Sequence, residues 1–305
     1  MKSKELVLLV FVTAIWGFNF SFIKLGLTNF DPYLLAALRF SLCVFPAILW
    51  IKRPRVGWRY FLAYGVMFGV VQWGMIYAGI RLGVTAGIAS LLTQTSVLMS
   101  IFLGVIFFKE RMTLPMLLGT TISFSGIFLI FSQTQGSSTL WGLCCILVGA
   151  FAWSISNIIV KKSKTTEIFG FLIWSSLFAP IPLILLSYSL SGSQSVAYAF
   201  DHFDRYALMS VLFQVYPTTL FGYSVWNYFM QKYPVSMVAP LSLLVPVFGI
   251  AGSVLMFHEE LPTYKWIAIL LILSGLIVQR YANRLLETWT LISTAWSDRT
   301  AKHRL

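Results

Sequence analysis

Two parts of this sequence resemble each other, and each part is predicted to cross a membrane five times. The segment from Trp16 to Lys24 resembles the segment from Trp153 to Lys161, with eight residues from tryptophan to lysine in both. The segment from Phe108 to Ile127 matches the segment from Phe257 to Leu276, 149 positions later. Because five is an odd number, the second part must enter the bilayer from the opposite side. The chain is therefore constrained to an inverted duplication.

The composition predicts a polytopic membrane protein. Of the 305 residues 58% are hydrophobic and 10% are charged, and the mean hydropathy is +0.81. In a soluble domain about a quarter of the residues are charged. The sequence contains ten apolar runs of about 17–25 residues, the length that crosses the hydrocarbon core of a bilayer. These runs are too long and too uniformly apolar for barrel strands, so each is predicted to be a membrane-spanning helix. The predicted spans are 6–23, 33–51, 60–80, 86–108, 115–131, 141–160, 168–190, 206–230, 235–257 and 266–282.

The predicted fold is an all-α membrane protein of ten transmembrane helices, arranged as two inverted five-helix repeats. Residues 1–135 form the first repeat (helices 1–5), residues 136–282 form the second (helices 6–10), and residues 283–305 form a cytoplasmic tail. Inverted repeats are typical of secondary transporters, whose substrate site lies near the midplane between repeats that rock to alternate access. The duplication is compatible with a functional monomer, because one chain supplies both halves of the pathway.

The net charge of +12 indicates membrane topology rather than nucleic-acid binding. With the amino terminus in the cytoplasm, 17 of the 22 lysine and arginine residues fall in cytoplasmic segments, four fall outside and Arg39 lies within a span. The positive-inside rule predicts this asymmetry. We therefore expect a multi-pass protein with both termini in the cytoplasm and no nucleic-acid partner.

An integral membrane enzyme is the rival class, and the sequence offers little chemistry for one. Such an enzyme needs paired acids, a nucleophile with its base, or a metal cluster at the bilayer edge. The three histidines lie outside the predicted spans, and no glycine-rich phosphate-binding loop is present. We expect no enzymatic activity, no cofactor and no metal site; the expected partners are a small-molecule substrate and the lipid bilayer. With no Asp, Glu or His inside a predicted span, the sequence favours facilitated efflux over proton coupling.

Five motifs carry a resemblance to a known family: Trp16–Asn19, Leu38–Phe40, Lys109–Arg111, Ala239–Pro246 and Glu259–Gly275. Through them the chain resembles, over about residues 6–282, the EamA-type branch of the drug/metabolite transporter superfamily. The resemblance implies a ten-helix protein of the bacterial inner membrane. The Ala239–Pro246 stretch resembles exporters of O-acetylserine and cysteine, which implies export of small amino-acid-related metabolites. A broad drug or aromatic-compound exporter of the same superfamily is the alternative, since 16% of the residues are aromatic.

Arg39 is the charged residue that lies well inside a predicted span, about 10 Å along the second helix at 1.5 Å per residue. Intramembrane charges are costly, which makes them candidates for a functional site. We expect the planar guanidinium to bind a substrate carboxylate through two parallel hydrogen bonds. The alternative is that it reaches the outer headgroups or ties loop carbonyl groups together.

The first and sixth spans carry matching polar and aromatic faces. Trp16 and Asn19 share one helical face, and Trp153 and Asn157 repeat this arrangement in the second half. In an inverted repeat the two faces should meet across the pseudo-two-fold axis. The hypothesis is a cavity wall formed by Trp16, Asn19 and Asn157; packing between helices is the alternative.

Further candidates lie in the third, fourth, eighth and ninth spans. A mixed aromatic and amide lining suits a pocket for small amphipathic metabolites, although such stripes also serve packing. The eighth span is predicted to present Tyr216, Thr219 and Asn227 on the same face as its two candidates, and the polar run Thr93–Ser96 predicts a wet cavity beside the fourth span. The substrate-binding candidates in these spans are Gln72, Tyr77, Gln94, Tyr223, Trp226 and Ser242.

Two glutamates follow the fourth and ninth spans at equivalent positions, Glu110 and Glu259. We expect each carboxylate to stabilise the amino terminus of the helix that comes next, because the helix dipole favours negative charge there. A structural role is therefore predicted for both.

Overall fold

The computed structural model describes residues 1–84, 86–110, 112–133, 140–192, 194–257, 262–264 and 266–278. Glu259 and the predicted tail, 283–305, lie outside the described residues. Contacts group the chain into two compact units. One lies within Met1–Glu110 and Thr134–Leu261, and the other lies within Arg111–Gln133 and Pro262–Leu305.

Helices account for the regular structure, and the described residues contain no strand. The helices of the first unit are α1 (Ser3–Gly26), α2 (Pro32–Leu49), α3 (Trp58–Arg81), α4 (Ala86–Phe108), α6 (Leu140–Ser163), α7 (Ile168–Ser191), α8 (205–232) and α9 (Val235–Phe257). The second unit contains α5 (Leu114–Gln133) and α10 (Trp266–Val278). A short helix, Gln194–Asp201, precedes α8.

Seven of the described helices, α1–α4, α6, α7 and α9, are long and apolar enough to cross a membrane. Helices α5 and α10 supply shorter apolar stretches, Leu114–Leu129 and Trp266–Val278. Helix α8 carries more polar side chains, including Gln214, Thr218 and Asn227. The predicted all-α membrane class is confirmed.

Acidic side chains define where α2 and α8 begin. The Oδ1 atom of Asp31 accepts hydrogen bonds from the backbone N–H groups of Tyr33 and Leu34 at 3.0 and 3.1 Å. Asp204 Oδ1 accepts one from the Ala207 N–H group at 2.8 Å. Each carboxylate satisfies donors that the first turn of a helix leaves without a partner.

Helix bounds recur at the spacing of the sequence repeat. Helices α1, Ser3–Gly26, and α6, Leu140–Ser163, both contain 24 residues and begin 137 positions apart. Helices α4, Ala86–Phe108, and α9, Val235–Phe257, both contain 23 residues and begin 149 positions apart.

The irregular stretches inside the helices recur as well. Helix α3 is a π-helix over Gly65–Trp73, and α8 is one over Gln214–Tyr223, 149 positions later at its start. Helix α4 is interrupted between Thr93 and Thr95, and α9 has a 3₁₀ stretch over Ala239–Leu244. Proline explains part of this, because Pro217 lies within the second π stretch and lacks the N–H group that an α-helix requires. Short π segments in membrane and soluble helices are frequent at functional sites.

Within the second unit, α5 and α10 approach closely at small residues. Ser123 Oγ donates a hydrogen bond to the carbonyl oxygen of Ile272 at 3.1 Å, and these two residues are 149 positions apart. A Cβ atom on Gly126 would lie 2.6 Å from the Ala268 carbonyl oxygen, so only glycine permits this approach. Small residues commonly allow such contacts between membrane helices.

The structure corrects the prediction for Glu110. Its carboxylate does not cap the helix that comes next in sequence; it accepts hydrogen bonds from the backbone N–H groups of Val235 and Ser236, both at 2.9 Å, at the start of α9. Lys161 Nζ, at the end of α6, lies 3.3 Å from Glu110 Oε1. Glu110 does stabilise a helix amino terminus, as the dipole argument predicts, but the helix is α9 and not the next helix in the sequence. Tertiary packing places the first turn of α9 against this carboxylate.

Burial by itself raises the pKa of the Glu110 carboxyl, but hydrogen bonds from the backbone of Ser236 and Val235 and the charge of Lys161 outweigh it, so the pKa lies below its ordinary value. At the same end of the unit, Glu5 accepts hydrogen bonds from Lys232 Nζ at 2.7 Å and from Tyr233 Oη at 2.8 Å. Two glutamates therefore connect α1 to α8 and α4 to α9 at this end.

Candidate functional site

Polar and aromatic side chains from α1, α2, α3, α6 and α8 meet in one buried cluster within the first unit. Eight of the ten candidate residues belong to it, and none of the eight is more than 4% exposed. We call these residues the central cluster: Trp16, Asn19, Arg39, Gln72, Tyr77, Asn157, Tyr223 and Trp226. The contacts described below connect them into a continuous network, together with the edge-to-face pair of Trp73 and Tyr223, whose ring centroids are 6.5 Å apart.

Arg39 is held by neutral groups on three sides. Its Nε atom donates to Thr219 Oγ1 at 2.7 Å, and Nη1 donates to Tyr77 Oη at 2.9 Å. The guanidinium carbon lies 4.0 Å from the centroid of the Trp73 ring, which is a cation–π contact. Arg39 is 0% exposed. The guanidinium therefore does not reach the protein surface, and the headgroup alternative does not describe it.

The partners of Arg39 are themselves fixed by hydrogen bonds. Tyr77 Oη donates to Gln214 Oε1, and Gln214 Nε2 donates to Ser210 Oγ at 2.8 Å. Thr219 Oγ1 donates to the Gln214 carbonyl oxygen at 2.6 Å. Because each hydroxyl uses its proton elsewhere, each presents an oxygen lone pair to Arg39. The network orients the guanidinium before any ligand arrives.

Aromatic rings from the two similar sequence segments, 16–24 and 153–161, face each other. The rings of Trp16 and Trp153 are edge-to-face with centroids 5.5 Å apart. Trp16 also lies 4.5 Å from Tyr223 and 5.0 Å from Trp226. Trp226 Nε1 donates to Asn157 Oδ1 at 3.1 Å, which joins α8 to α6. Such pairs add stability beyond their buried area.

Amide side chains complete the network. Asn19 Oδ1 accepts a hydrogen bond from Thr218 Oγ1 at 3.0 Å, and the Thr218 carbonyl oxygen accepts one from Trp16 Nε1 at 3.2 Å. Gln72 Nε2 donates to Tyr223 Oη at 3.1 Å. These bonds run between α1 and α8 and between α3 and α8, so the cluster joins residues of both sequence repeats.

Several buried polar atoms here have no hydrogen-bond partner among the described residues. The unpaired donors are Asn19 Nδ2, Arg39 Nη2, Trp73 Nε1 and Trp153 Nε1, and the unpaired acceptor is Gln72 Oε1. Gln94 Oε1, in α4 outside the central cluster, is unpaired as well. Each unpaired buried group costs about 1–3 kcal/mol. Donors that include a guanidinium suit an anionic group, and amide oxygens suit a group that carries protons.

Two candidates form hydrogen bonds within their own helices instead. Gln94 Nε2 donates to the Ser90 carbonyl oxygen at 3.2 Å, beside the interruption of α4. Ser242 Oγ donates to the Ala239 carbonyl oxygen at 2.9 Å, within the 3₁₀ stretch of α9. Both are buried, but the described hydrogen bonds do not connect either to the central cluster.

Comparison with known proteins identifies the family. The EamA-like transporter family matches residues 3–132 and 140–280. A probable amino-acid metabolite efflux pump of Escherichia coli (strain K12) is 33% identical over 290 residues, covering 93% of this chain and 97% of that protein. The chain belongs to the EamA-like transporter family.

Other relatives agree with this membership. A probable amino-acid metabolite efflux pump of Salmonella typhimurium is 32% identical to this EamA-like chain, covering 94% of it and 98% of the relative. An uncharacterized transporter of Bacillus subtilis is 25% identical, covering 91% and 97%. A solved crystal structure with 16% identity superposes with a TM-score of 0.75 over 94% of this chain and 100% of the other, so the fold is shared. The chain is thus a multi-pass membrane transporter related to efflux pumps.

Some residues at the site of this EamA-like protein were not predicted as site residues. Gln214, Thr218 and Thr219 hold the central cluster from α8. Thr219 stood on the predicted face of α8, but Tyr216, placed on that same face, is 53% exposed. The π stretch changes the number of residues per turn, so the 3.6-residue period does not apply there. An amide inside a span was the signal that would have found Gln214.

Proposed function

We propose that this protein exports small amino-acid-related metabolites and that the central cluster is the substrate-binding site. The proposed substrates are O-acetylserine and cysteine. The observation that carries the proposal is the fully buried guanidinium of Arg39, whose Nη2 atom has no partner among the described residues. The similarity of the chain to two probable amino-acid metabolite efflux pumps, over more than nine-tenths of its length, supports the same substrate class.

An amino acid supplies the groups that the central cluster lacks. Its carboxylate would accept hydrogen bonds from Arg39 Nη2 and Asn19 Nδ2. Its ammonium group would donate to Gln72 Oε1 and lie against the faces of Trp16 and Tyr223, since aromatic faces attract cations. A zwitterion therefore pairs atoms that are otherwise buried at a cost.

Alternating access between two inverted five-helix repeats, 1–135 and 136–282, is the mechanism we propose. The recurrence of helix bounds and of irregular stretches at 137 and 149 positions supports the duplication. Helices with π or 3₁₀ stretches have weaker local hydrogen bonding, so they are suited to bend as one repeat rocks against the other. Both termini would then face the cytoplasm of a bacterial inner membrane, and one chain would suffice for transport.

A broad exporter of aromatic compounds is the second candidate. The observation that favours it is the group of rings around Trp16, which lies within 5.5 Å of Trp153, Tyr223 and Trp226 measured between centroids. Such a surface also binds flat apolar cations. The two candidates differ in whether the ligand needs a carboxylate.

Uptake into inside-out membrane vesicles tests the proposal, because uptake there corresponds to export from the cell. Vesicles with and without the overproduced protein would be given radiolabelled O-acetyl-L-serine or L-cysteine, with the methyl ester of each as a competitor without a carboxylate. We expect uptake of the free amino acids and weak competition by the esters. Uptake of an aromatic dye with no uptake of either amino acid would favour the second candidate and overturn the first.

A further inference from the structure

A cavity of about 820 Å³ lies in the first unit beside the carboxyl end of α3. Its polar lining includes Thr28, Asn29, Asp31, Arg81, Gln194 and Tyr198. We propose that this Arg81 cavity is a second binding site for the substrate carboxylate, occupied as the substrate enters or leaves the central cluster. The inference rests on the proposed function and adds a second site to its pathway.

Arg81 is connected to the central cluster through α3. It follows Tyr77 by four residues, so the two side chains share a helical face and are about 6 Å apart along the axis. Tyr77 Oη accepts the hydrogen bond from Arg39 Nη1 at 2.9 Å, and Ala78 lines the cavity. The cavity therefore begins about one helical turn from the residue that holds the buried guanidinium.

The acidic residue of the cavity is already occupied. Asp31 Oδ1 caps α2, and Asp31 Oδ2 accepts a hydrogen bond from Ser187 Oγ at 2.6 Å. Asn29 is occupied too, because its Nδ2 atom donates to the His202 carbonyl oxygen at 2.5 Å and its Oδ1 atom accepts from Thr28 Oγ1 at 2.6 Å. Neither side chain needs a ligand to satisfy these atoms.

Arg81 has donors to offer. Its Nη1 atom lies 3.5 Å from the Leu27 carbonyl oxygen, a length at which a hydrogen bond is weak. A guanidinium binds a carboxylate best through two parallel hydrogen bonds. A substrate carboxylate that dissociates from Arg39 would therefore meet a second guanidinium, that of Arg81, near the mouth of the pathway. Binding to Arg81 would lower the free-energy barrier for the carboxylate to dissociate from the buried Arg39.

Sided transport kinetics test this site. Zero-trans uptake of radiolabelled O-acetyl-L-serine would be measured in right-side-out and inside-out vesicles for the parent, Arg81→Gln and Arg81→Lys. We expect Arg81→Gln to raise KM about three- to tenfold from one face and to leave the other face within about twofold, since an exposed charge contributes less than a buried one. Arg81→Lys should fall between. For the parent, about 0.5 M salt should raise KM from that same face, because exposed charges are screened.

Arg205→Gln is the matched control. Arg205 begins α8, and its guanidinium donates to Tyr206 Oη at 2.8 Å rather than lining the cavity. This variant should match the parent from both faces. Unchanged KM for Arg81→Gln from both faces, or an equal rise from both, overturns the second site. If Arg81→Gln does not accumulate, the salt dependence decides: a parent KM that ignores salt from both faces overturns the site as well.

The outcomes also separate this inference from the proposed function. If the parent transports the amino-acid probe, Arg39→Gln impairs transport and Arg81→Gln does not, the proposed function stands and the second site is overturned. No transport of the amino-acid probe by the parent would overturn both.

Discussion

Arg39 is a buried positive charge whose described contacts are all uncharged. Removing such a charge from water costs several kcal/mol even after the protein relaxes. Hydrogen bonds to Thr219 and Tyr77 and the face of Trp73 recover part of that cost. A carboxylate would recover more, because it adds both opposite charge and acceptors for Nη2. The cost of burying the Arg39 guanidinium therefore favours ligands that carry an anionic group.

Substitution of Arg39 should change substrate affinity in a graded way. A hydrogen bond to a charged group contributes about 1.5–3 kcal/mol, so Arg39→Gln should raise the apparent KM for O-acetyl-L-serine about 10- to 150-fold. Arg39→Lys keeps the charge, loses the paired geometry and should fall between. The measurement is vesicle uptake, with the amount of protein in the membrane determined for each variant.

Two results would count against a carboxylate contact at Arg39. Parent-like transport by Arg39→Gln would show that the guanidinium does not bind the substrate. Failure of Arg39→Gln to accumulate in the membrane, with Arg205→Gln accumulating normally, would show that Arg39 mainly stabilises the fold through Thr219 and Tyr77.

At the scale of helices, Glu110 is the clearest long-range contact, because it joins the end of α4 to the start of α9. We expect Glu110→Gln to lower stability in detergent at pH 7 by about 1 kcal/mol, the usual effect of losing a helix cap. The matched control is Glu167→Gln, since Glu167 precedes Ile168 of α7 and its side chain forms no capping hydrogen bond. Thermal unfolding of the purified proteins measures both.

The effect of Glu110 should depend on pH in a definite direction. Its pKa is lowered in the folded protein, so the carboxylate contributes its full stabilisation above the ordinary carboxyl pKa of about 4.3. That contribution is lost as the pH falls through the lowered pKa of the folded state. The difference in stability between the parent and Glu110→Gln should therefore be largest near neutral pH and shrink below about pH 4. A difference that grows in acid would contradict this assignment.

The sequence predicts where helices lie better than it predicts their internal geometry. The predicted spans 86–108 and 235–257 coincide with Ala86–Phe108 and Val235–Phe257, because apolar runs end at charged or helix-breaking residues. Tyr216 was misplaced because a π stretch is a feature of backbone hydrogen bonding that residue types signal weakly, apart from Pro217.

The same limit applies to the candidate site. Arg39, Gln72 and Asn157 were predicted as site residues because polar side chains are costly in a membrane and need partners, and all three lie in the central cluster. Gln94 and Ser242 satisfied the same rule but form their described hydrogen bonds to nearby backbone, a choice that depends on the local helix breaks. Glu110 was assigned to the wrong helix because sequence order does not show which helix ends meet in space.

At the scale of the molecule, the irregular stretches of the helices occur in pairs, which supports the proposed duplication. The two π stretches begin 149 positions apart, and the position 149 residues after the break in α4 lies inside the 3₁₀ stretch of α9. In the central cluster, Trp16 of the first repeat contacts Trp153 of the second. A pathway formed at the interface of two related halves can open to either side by equivalent movements, which is what alternating access requires.

Inversion makes a specific prediction for equivalent loops: they must lie on opposite sides of the membrane. Arg53, between α2 and α3, and His202, before α8, are 149 positions apart and both exposed. In a variant with Cys43, Cys144 and Cys145 replaced by alanine, we expect a membrane-impermeant maleimide to label His202→Cys in intact cells and to label Arg53→Cys only after permeabilisation. A cysteine added after Leu305 should behave like Arg53→Cys, because the positive-inside rule places both with the cytoplasmic charges. Labelling of both loop positions from the same side would exclude the inverted repeat. The reverse pattern would preserve the inversion and place the termini outside.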